Sequence, residues 1–120
     1  MTNLTDLYVD RLTIGSEQQG LAMTADGAIS IDQGVVTLNK AGVLAASIVK
    51  PTALTDDYKL ITITSLSAQL HTLVITGGTF GNGGAGFTTA TFGAAAGNSI
   101  TLLAYNGQWY VVGNRGVTFA

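Results

Sequence analysis

The sequence contains a run of 55 residues, from Leu60 to Asn114, without an Asp, Glu, Lys or Arg. Hydrolytic, phosphoryl-transfer and oxygen-ligated metal sites nearly always use carboxylates or fixed cations. The run offers only His71 and two tyrosines as titratable groups. Because it is also rich in Thr, Gly, Ala and Ile, it is typical of packed β-structure with neutral polar surfaces. The sequence therefore favours a structural or assembly protein over an enzyme.

The hydrophobicity of the chain predicts burial in an oligomer. Its 120 residues allow one domain, or one small domain with an arm. Charged residues make up 10% of the chain, against about 25% in typical soluble domains. Mean hydropathy is +0.40, yet no window approaches the roughly 18 apolar residues of a membrane span. We therefore expect no membrane partner, and we expect other copies of the chain to cover part of the apolar surface.

The charged residues are concentrated in the first half of the chain. All seven acids lie within residues 1–57, and only Lys59 and Arg115 carry charge beyond them. Neither half has the clustered Lys and Arg of a nucleic-acid-binding face, so no nucleic-acid partner is expected. The absence of cysteine excludes disulfides and thiolate metal sites. No cofactor or metal is predicted. The first residues do not resemble a signal peptide, so we expect synthesis in a cytoplasm.

Residues 1–50 are predicted to form an N-terminal arm and a region of short repeated strands. Residues 4–12 fit either a short helix or an extended arm, and we favour the arm. From Leu21 onward, a turn containing Asp or Asn with Gly precedes about four β-forming residues, at a spacing of roughly seven residues. Strands this short cannot bury a core alone. They fit either symmetric copies that wind around a shared interior or a β-meander folded onto the second half.

The only proline, Pro51, marks the predicted start of a C-terminal β-body at residues 51–120. In the candidate strand at 58–65, Ile61 and Ile63 are expected to point to one face and Leu60, Thr62 and Thr64 to the other. The dipeptide Asn106-Gly107 between two β-rich segments predicts a type I′ hairpin. The predicted fold class is all-β: the N-terminal arm and short strands are followed by an antiparallel β-sandwich or barrel of about five or six strands, in a trimer.

Three motifs are interpreted as structural. Residues 81–86 match the dinucleotide fingerprint G-x-G-x-x-G, but no helix follows and no acid lies downstream to bind a ribose, so a loop is predicted. His71 has no carboxylate in its own half of the chain and is expected to be a half-buried strand histidine bonded to backbone or hydroxyl groups. Asp56 and Asp57 lack the spacing of a calcium loop and are expected to stabilise the turn after Pro51.

Tyr105, Trp109 and Tyr110 flank the predicted hairpin turn. Aromatic rings on a β-edge can stack on sugars, so these residues are candidates for a glycan site or a subunit interface. The alternative is core packing with cross-strand aromatic pairs. We favour the alternative because aromatic residues are mostly buried.

The order of segments in the second half carries a family resemblance. Residues 45–51 (AASIVKP) lead into 57–64 (DYKLITIT) and 67–75 (SAQLHTLVI); after a glycine-rich loop and ATFG at 90–93, residues 97–112 end on AYNGQWYVV. Over residues 43–113 this pattern resembles small structural proteins of tailed-bacteriophage virions, especially capsid decoration (cement) and head-fibre proteins.

This resemblance implies a homotrimer with a β-rich body that projects from the virion and an N-terminal segment that attaches to it. The implied partner is the major capsid protein or another virion protein. The predicted contact residues in that segment are Leu4, Asp6, Tyr8, Asp10 and Arg11. The expected function is a decoration protein that binds the assembled head and stabilises it.

Two other functions, glycan recognition and polysaccharide cleavage, are less favoured than decoration. A tail-fibre or head-fibre domain would recognise host glycans through the face that carries Trp109 and Tyr110. A depolymerase would need paired carboxylates, which only the first half of the chain could supply. The enzyme is therefore the least favoured of the three.

Overall fold

The computed structural model describes residues 20–81 and 86–120. Within these ranges the protein is all-β and its strands are short, because turns containing Asp, Asn or Gly interrupt the β-forming residues every few positions. The strands are β1 (Gly20–Met23), β2 (Gly27–Ile29), β3 (Val35–Leu38), β4 (Ala45–Val49), β5 (Leu60–Ser65), β6 (Thr72–Thr76), β7 (Phe80–Gly81), β8 (Thr89–Phe92), β9 (Ser99–Tyr105), β10 (Gln108–Arg115) and β11 (Val117–Phe119).

The strands form two mixed sheets. One has six strands in the order β1-β3-β5-β9-β10-β7, and the other has five in the order β11-β8-β6-β4-β2. The first six strands alternate between the sheets, and β1, β3 and β5 are parallel to one another, as are β2, β4 and β6. The chain therefore winds in coils, each contributing one strand to each sheet.

This winding corrects two sequence-based expectations. The predicted antiparallel sandwich of residues 51–120 is instead part of two mixed sheets: five of the nine strand pairs in the described ranges are parallel, although four of the five pairs within residues 51–120 are antiparallel. The short repeated strands also do not form a meander, because each pairs with a strand one coil away. Their interior is shared within one chain, so they bury a core without needing symmetric copies.

The later strands continue the two sheets in antiparallel fashion, except β7, which pairs in parallel with β10. In the six-stranded sheet β9 pairs with β5 and β10, and in the five-stranded sheet β8 pairs with β6 and β11. Asn106 and Gly107, between β9 and β10, have φ angles of 51° and 79°. Positive φ at both positions is what a type I′ turn requires, so the predicted hairpin is confirmed.

The inward side chains of both sheets form one hydrophobic core. Its largest fully buried members include Trp109, Phe80 and Phe92. Ile61 and Ile63 are fully buried in β5, so the predicted alternation of that strand is confirmed. The other buried hydrophobic residues are Met23, Ile29, Val36, Leu38, Leu44, Ala46, Ile48, Leu73, Ile75, Ala90, Ile100, Leu102, Ala104 and Val117.

Strands on the two sides of residue 50 share both sheets. β3 pairs with β5, and β4 pairs with β6. The predicted division at 50/51 therefore separates two lengths of chain that are built around the same core. The predicted arm at residues 1–14, with Leu4, Asp6, Tyr8, Asp10 and Arg11, lies outside the described residues, as do positions 82–85 of the glycine-rich loop.

Candidate functional site

An exposed group of aromatic and aliphatic side chains lies on the outer face of the six-stranded sheet. We call it the tyrosine patch: Tyr58, Leu60, Leu103, Tyr105 and Tyr110. Leu103 on β9 is the register partner of Leu60 on β5 and of Tyr110 on β10, and the rings of Tyr58 and Tyr105 lie 5.6 Å apart. Tyr58, Leu60, Tyr105 and Tyr110 are 72%, 55%, 44% and 41% exposed.

The backbone beneath the patch fixes its side chains. Tyr58 donates its N–H to Ala104 O at 2.7 Å, and the carboxylate of Asp57 accepts the N–H of Asn106 at 2.8 Å. These bonds tie the loop before β5 to the β9–β10 hairpin. On the other side, Gly81 leaves room for the ring of Tyr110, because a Cβ at position 81 would lie 2.6 Å from its Cδ1.

Asp56 stabilises the same loop from within. The residue is only 3% exposed, and its carboxylate accepts the N–H of Thr52 at 2.7 Å and an N–H of the Lys59 ammonium at 2.8 Å. Lys59 also binds Asp32 at 2.6 Å. The ammonium of Lys59 and the N–H of Thr52 lower the pKa of Asp56, while Asp32 and Asp56 together raise the pKa of Lys59. The prediction that Asp56 and Asp57 stabilise the turn is confirmed.

His71 is the central residue of a buried polar chain. Its Nδ1 accepts the N–H of Leu44 at 2.9 Å, and its Nε2 lies 2.8 Å from Oγ of Ser67, which donates to Lys40 O at 2.8 Å. Because Nδ1 accepts, the neutral ring carries its proton on Nε2 and donates it to Ser67. Burial, and then the charge of Lys40, lowers the pKa of His71.

The partners of His71 were predicted correctly, but its burial and position were not. It bonds to a backbone and a hydroxyl group, as expected. However, it is fully buried rather than half-buried, and it lies in the loop just before β6 rather than in a strand. With both ring nitrogens bonded, the residue ties the loop between β3 and β4 to the loop between β5 and β6.

Trp109 is not part of the exposed surface. It is fully buried, its Nε1–H donates to Val49 O at 2.9 Å, and its register partner is the buried Ala104. Tyr105 is paired with Gln108, so the rings of Tyr105 and Trp109 lie on opposite faces of the sheet. Of the three aromatic residues predicted as a glycan or interface site, only Tyr105 and Tyr110 are on the surface.

Sequence reasoning missed Tyr58, Leu60 and Leu103 as surface partners of Tyr105 and Tyr110. Leu60 was assigned correctly to the face opposite Ile61, but nothing in the local pattern pairs it with β9. The available signal was an outward apolar residue, Leu60, two positions after a tyrosine that follows two turn acids.

Other chemistry is limited in the described ranges. There, no three His, Asp or Glu side chains lie close enough together to hold a metal ion. No helix in residues 20–81 or 86–120 is long and apolar enough to cross a membrane. A comparison with protein-family models gives no match, and a comparison with curated proteins finds no significant relative.

Proposed function

We propose that this chain is a non-catalytic structural protein of a tailed-bacteriophage virion, namely a decoration protein that binds the assembled head as a homotrimer. The proposal rests on what the charged groups of the described residues bind. Carboxylates and ammonium groups there bind each other and the backbone: Asp26 binds Lys40 and the N–H of Ala45, and Lys59 binds Asp32 and Asp56.

The outer face that carries the tyrosine patch, by contrast, is neutral. The tyrosine patch contains no charged side chain, and the neighbouring Thr62 and Thr101 hydroxyls bond to each other at 3.1 Å. A sandwich-like body with one neutral outer face is suited to lasting contact with another protein surface through that face. The segment order that resembles decoration and head-fibre proteins supports the same role.

The mechanism is mass action. A protein that binds the assembled lattice, and not its dissociated subunits, stabilises the lattice by RT ln(1 + [L]/Kd). At a free concentration of about 100 Kd this amounts to about 2.7 kcal/mol for each site. No chemical step is needed, and the N-terminal contacts predicted at Leu4, Asp6, Tyr8, Asp10 and Arg11 would supply attachment to the major capsid protein.

Glycan recognition by a tail-fibre or head-fibre domain has less support. Its predicted face was centred on Trp109 and Tyr110, and the ring of Trp109 is in the core. A ring with no exposed surface cannot stack on a sugar. We therefore keep decoration as the proposed function.

Cryo-electron microscopy of the encoding virus tests this proposal. Particles produced without the gene should lack regularly spaced density on the head, and adding the purified protein should restore it. The temperature at which heads release DNA should rise with occupancy and then reach a plateau. Density confined to a tail or fibre, or an unchanged release temperature at full occupancy, would contradict the proposal.

A further inference from the structure

We propose that the tyrosine patch is the surface through which one copy of this chain associates with another. The inference deepens the proposed function by assigning the contact between copies, and it does not depend on what the assembly binds. It rests on the size of the patch, its rigidity and its lack of charge.

The patch is large enough to form the centre of an interface. An aromatic side chain presents about 150–250 Å², so the fractions exposed for Tyr58, Tyr105 and Tyr110 correspond to roughly 300 Å². Leu60 raises this to on the order of 400 Å². One partner in a standard protein interface contributes about 800 Å². The patch can therefore supply about half of an interface, which is the share expected of its apolar centre.

The patch is held in place before any partner arrives. Tyr58 and Leu54 have φ angles of 72° and 70°, a left-handed conformation that costs a residue with a side chain roughly 1–2 kcal/mol. They are also the two most exposed large hydrophobic residues of the described chain, at 72% and 86%. The carboxylate of Asp57 holds this conformation by accepting the N–H groups of Leu54 and Asn106. A pre-organised apolar surface loses little conformational entropy on binding.

The absence of charge favours a second copy as the occupant. With the patch at the threefold axis of the proposed trimer, each side chain faces its own copies, so any single-sign charge there would face like charges, which costs several kcal/mol. The five side chains of the patch include no such charge. The nearby Lys59 is bonded to Asp32 and Asp56, and Asp57 is bonded to backbone N–H groups. A nucleic acid or an anionic membrane would instead require exposed cations, and a strongly charged protein would find no complement here.

The threonine hydroxyl groups beside the patch also favour a contact from which water is excluded. Thr62 on β5 and Thr101 on β9 form the next outward-facing pair after Leu60 and Leu103. Their hydroxyl groups bond to each other at 3.1 Å. Covering this row therefore leaves fewer unsatisfied hydroxyl groups than covering isolated threonines would.

Sedimentation equilibrium of the full chain tests the inference through a matched pair of variants. Leu60→Glu places a charge in the patch, whereas Leu66→Glu places the same charge just after the other end of β5. Leu60 and Leu66 have similar exposure, at 55% and 48%. We expect the wild-type chain to self-associate at micromolar concentration, Leu60→Glu to weaken association at least tenfold, and Leu66→Glu to leave it unchanged. Circular dichroism and urea unfolding should show that both variants fold.

Several outcomes would overturn the inference. A wild-type chain that stays monomeric at about 100 µM would do so, since a standard interface gives tighter binding. Equal effects of Leu60→Glu and Leu66→Glu would place the contact elsewhere. A monomeric wild type that binds neutral oligosaccharides, and loses this binding in Leu60→Glu, would assign the patch to carbohydrate. Self-association without head binding would refute only the proposed function.

Discussion

Replacing His71 with leucine tests the buried polar chain that joins two coils. The variant replaces the imidazole with an apolar side chain of similar size. It leaves the N–H of Leu44, a fully buried residue, without its acceptor. An unsatisfied buried donor costs about 1–3 kcal/mol, and the lost bond to Ser67 adds about 0.5–1.5 kcal/mol. We therefore expect the free energy of unfolding to fall by about 2–4 kcal/mol.

Urea unfolding measures this loss directly. With a typical m-value of about 2 kcal/mol/M, the midpoint should fall by about 1–2 M. Ser67→Ala is a companion variant: it retains the bond from Leu44 to Nδ1 but leaves the Nε2–H of His71 without its acceptor, so it should itself cost about 1–3 kcal/mol. If His71→Leu unfolds at the same urea concentration as the wild type, the bond from Leu44 does not contribute to stability as argued.

The same residue should make stability depend on pH. Protonation of His71 would place an N–H of the ring against the N–H of Leu44. The pKa of His71 is lowered from 6.5 in the folded protein, so the unfolded chain binds more protons as the pH falls below that value. The stabilisation is complete above pH 6.5 and decreases as the pH falls toward the folded-state pKa. Asp26 and Asp56 have pKa values lowered from 3.8, so their stabilisation is lost only at lower pH.

Measuring unfolding between about pH 5 and pH 7 isolates the contribution of His71, because the lowered pKa values of Asp26 and Asp56 lie below this range. The wild type should lose stability over this interval, and His71→Leu should not. Equal slopes for the two proteins would refute the proton assignment on which the argument depends.

Three further predictions concern other parts of the fold. Trp109→Phe should lower the free energy of unfolding by about 2 kcal/mol in urea, because it removes the bond to Val49 O and leaves a cavity. Gly116→Ala should cost more than about 1 kcal/mol by the same measurement, because Gly116 has a φ of 71° and its new methyl group would overlap the amide of Asn98. Native protein should resist trypsin at Lys59, whose N–H and C=O are both bonded, whereas the denatured chain should yield the fragment 60–115 as seen by mass spectrometry.

Local rules predicted those parts of the fold that depend on neighbouring residues. The alternation of Ile61 and Ile63 identified the inner face of β5, and Asn106-Gly107 identified the hairpin, because strand period and turn conformation are encoded over two to four residues. The parallel winding was not predicted. Gly20 pairs with Val35 and Val35 with Thr62, at separations of 15 and 27 residues. The repeat of roughly seven residues was noticed, but two such units form one coil, and no local signal shows that the second strand changes sheets.

The candidate site was predicted in part for the same reason. Tyr105 and Tyr110 were identified from their closeness to the hairpin turn. Their faces depend on register, however, and the pairing of Tyr105 with Gln108 places Trp109 on the opposite side. Tyr58 joins the patch only because a bond from its N–H to Ala104 O brings the loop before β5 against β9. That contact links residues 46 positions apart, which no periodicity could indicate.

Charge and apolar surface have separate roles in this molecule, and salt can distinguish them. Two of the three ion pairs among the described residues join neighbouring coils: Asp26 binds Lys40, and Asp32 binds Lys59. Charge-driven attachment to a capsid would then depend on Asp6, Asp10 and Arg11, the predicted contact residues. Raising the salt from about 0.05 M to about 0.5 M shortens the screening length about threefold. It should therefore weaken head binding while leaving self-association through the neutral patch unchanged. If both weaken together, the contact between copies is electrostatic, and the assignment of the tyrosine patch fails.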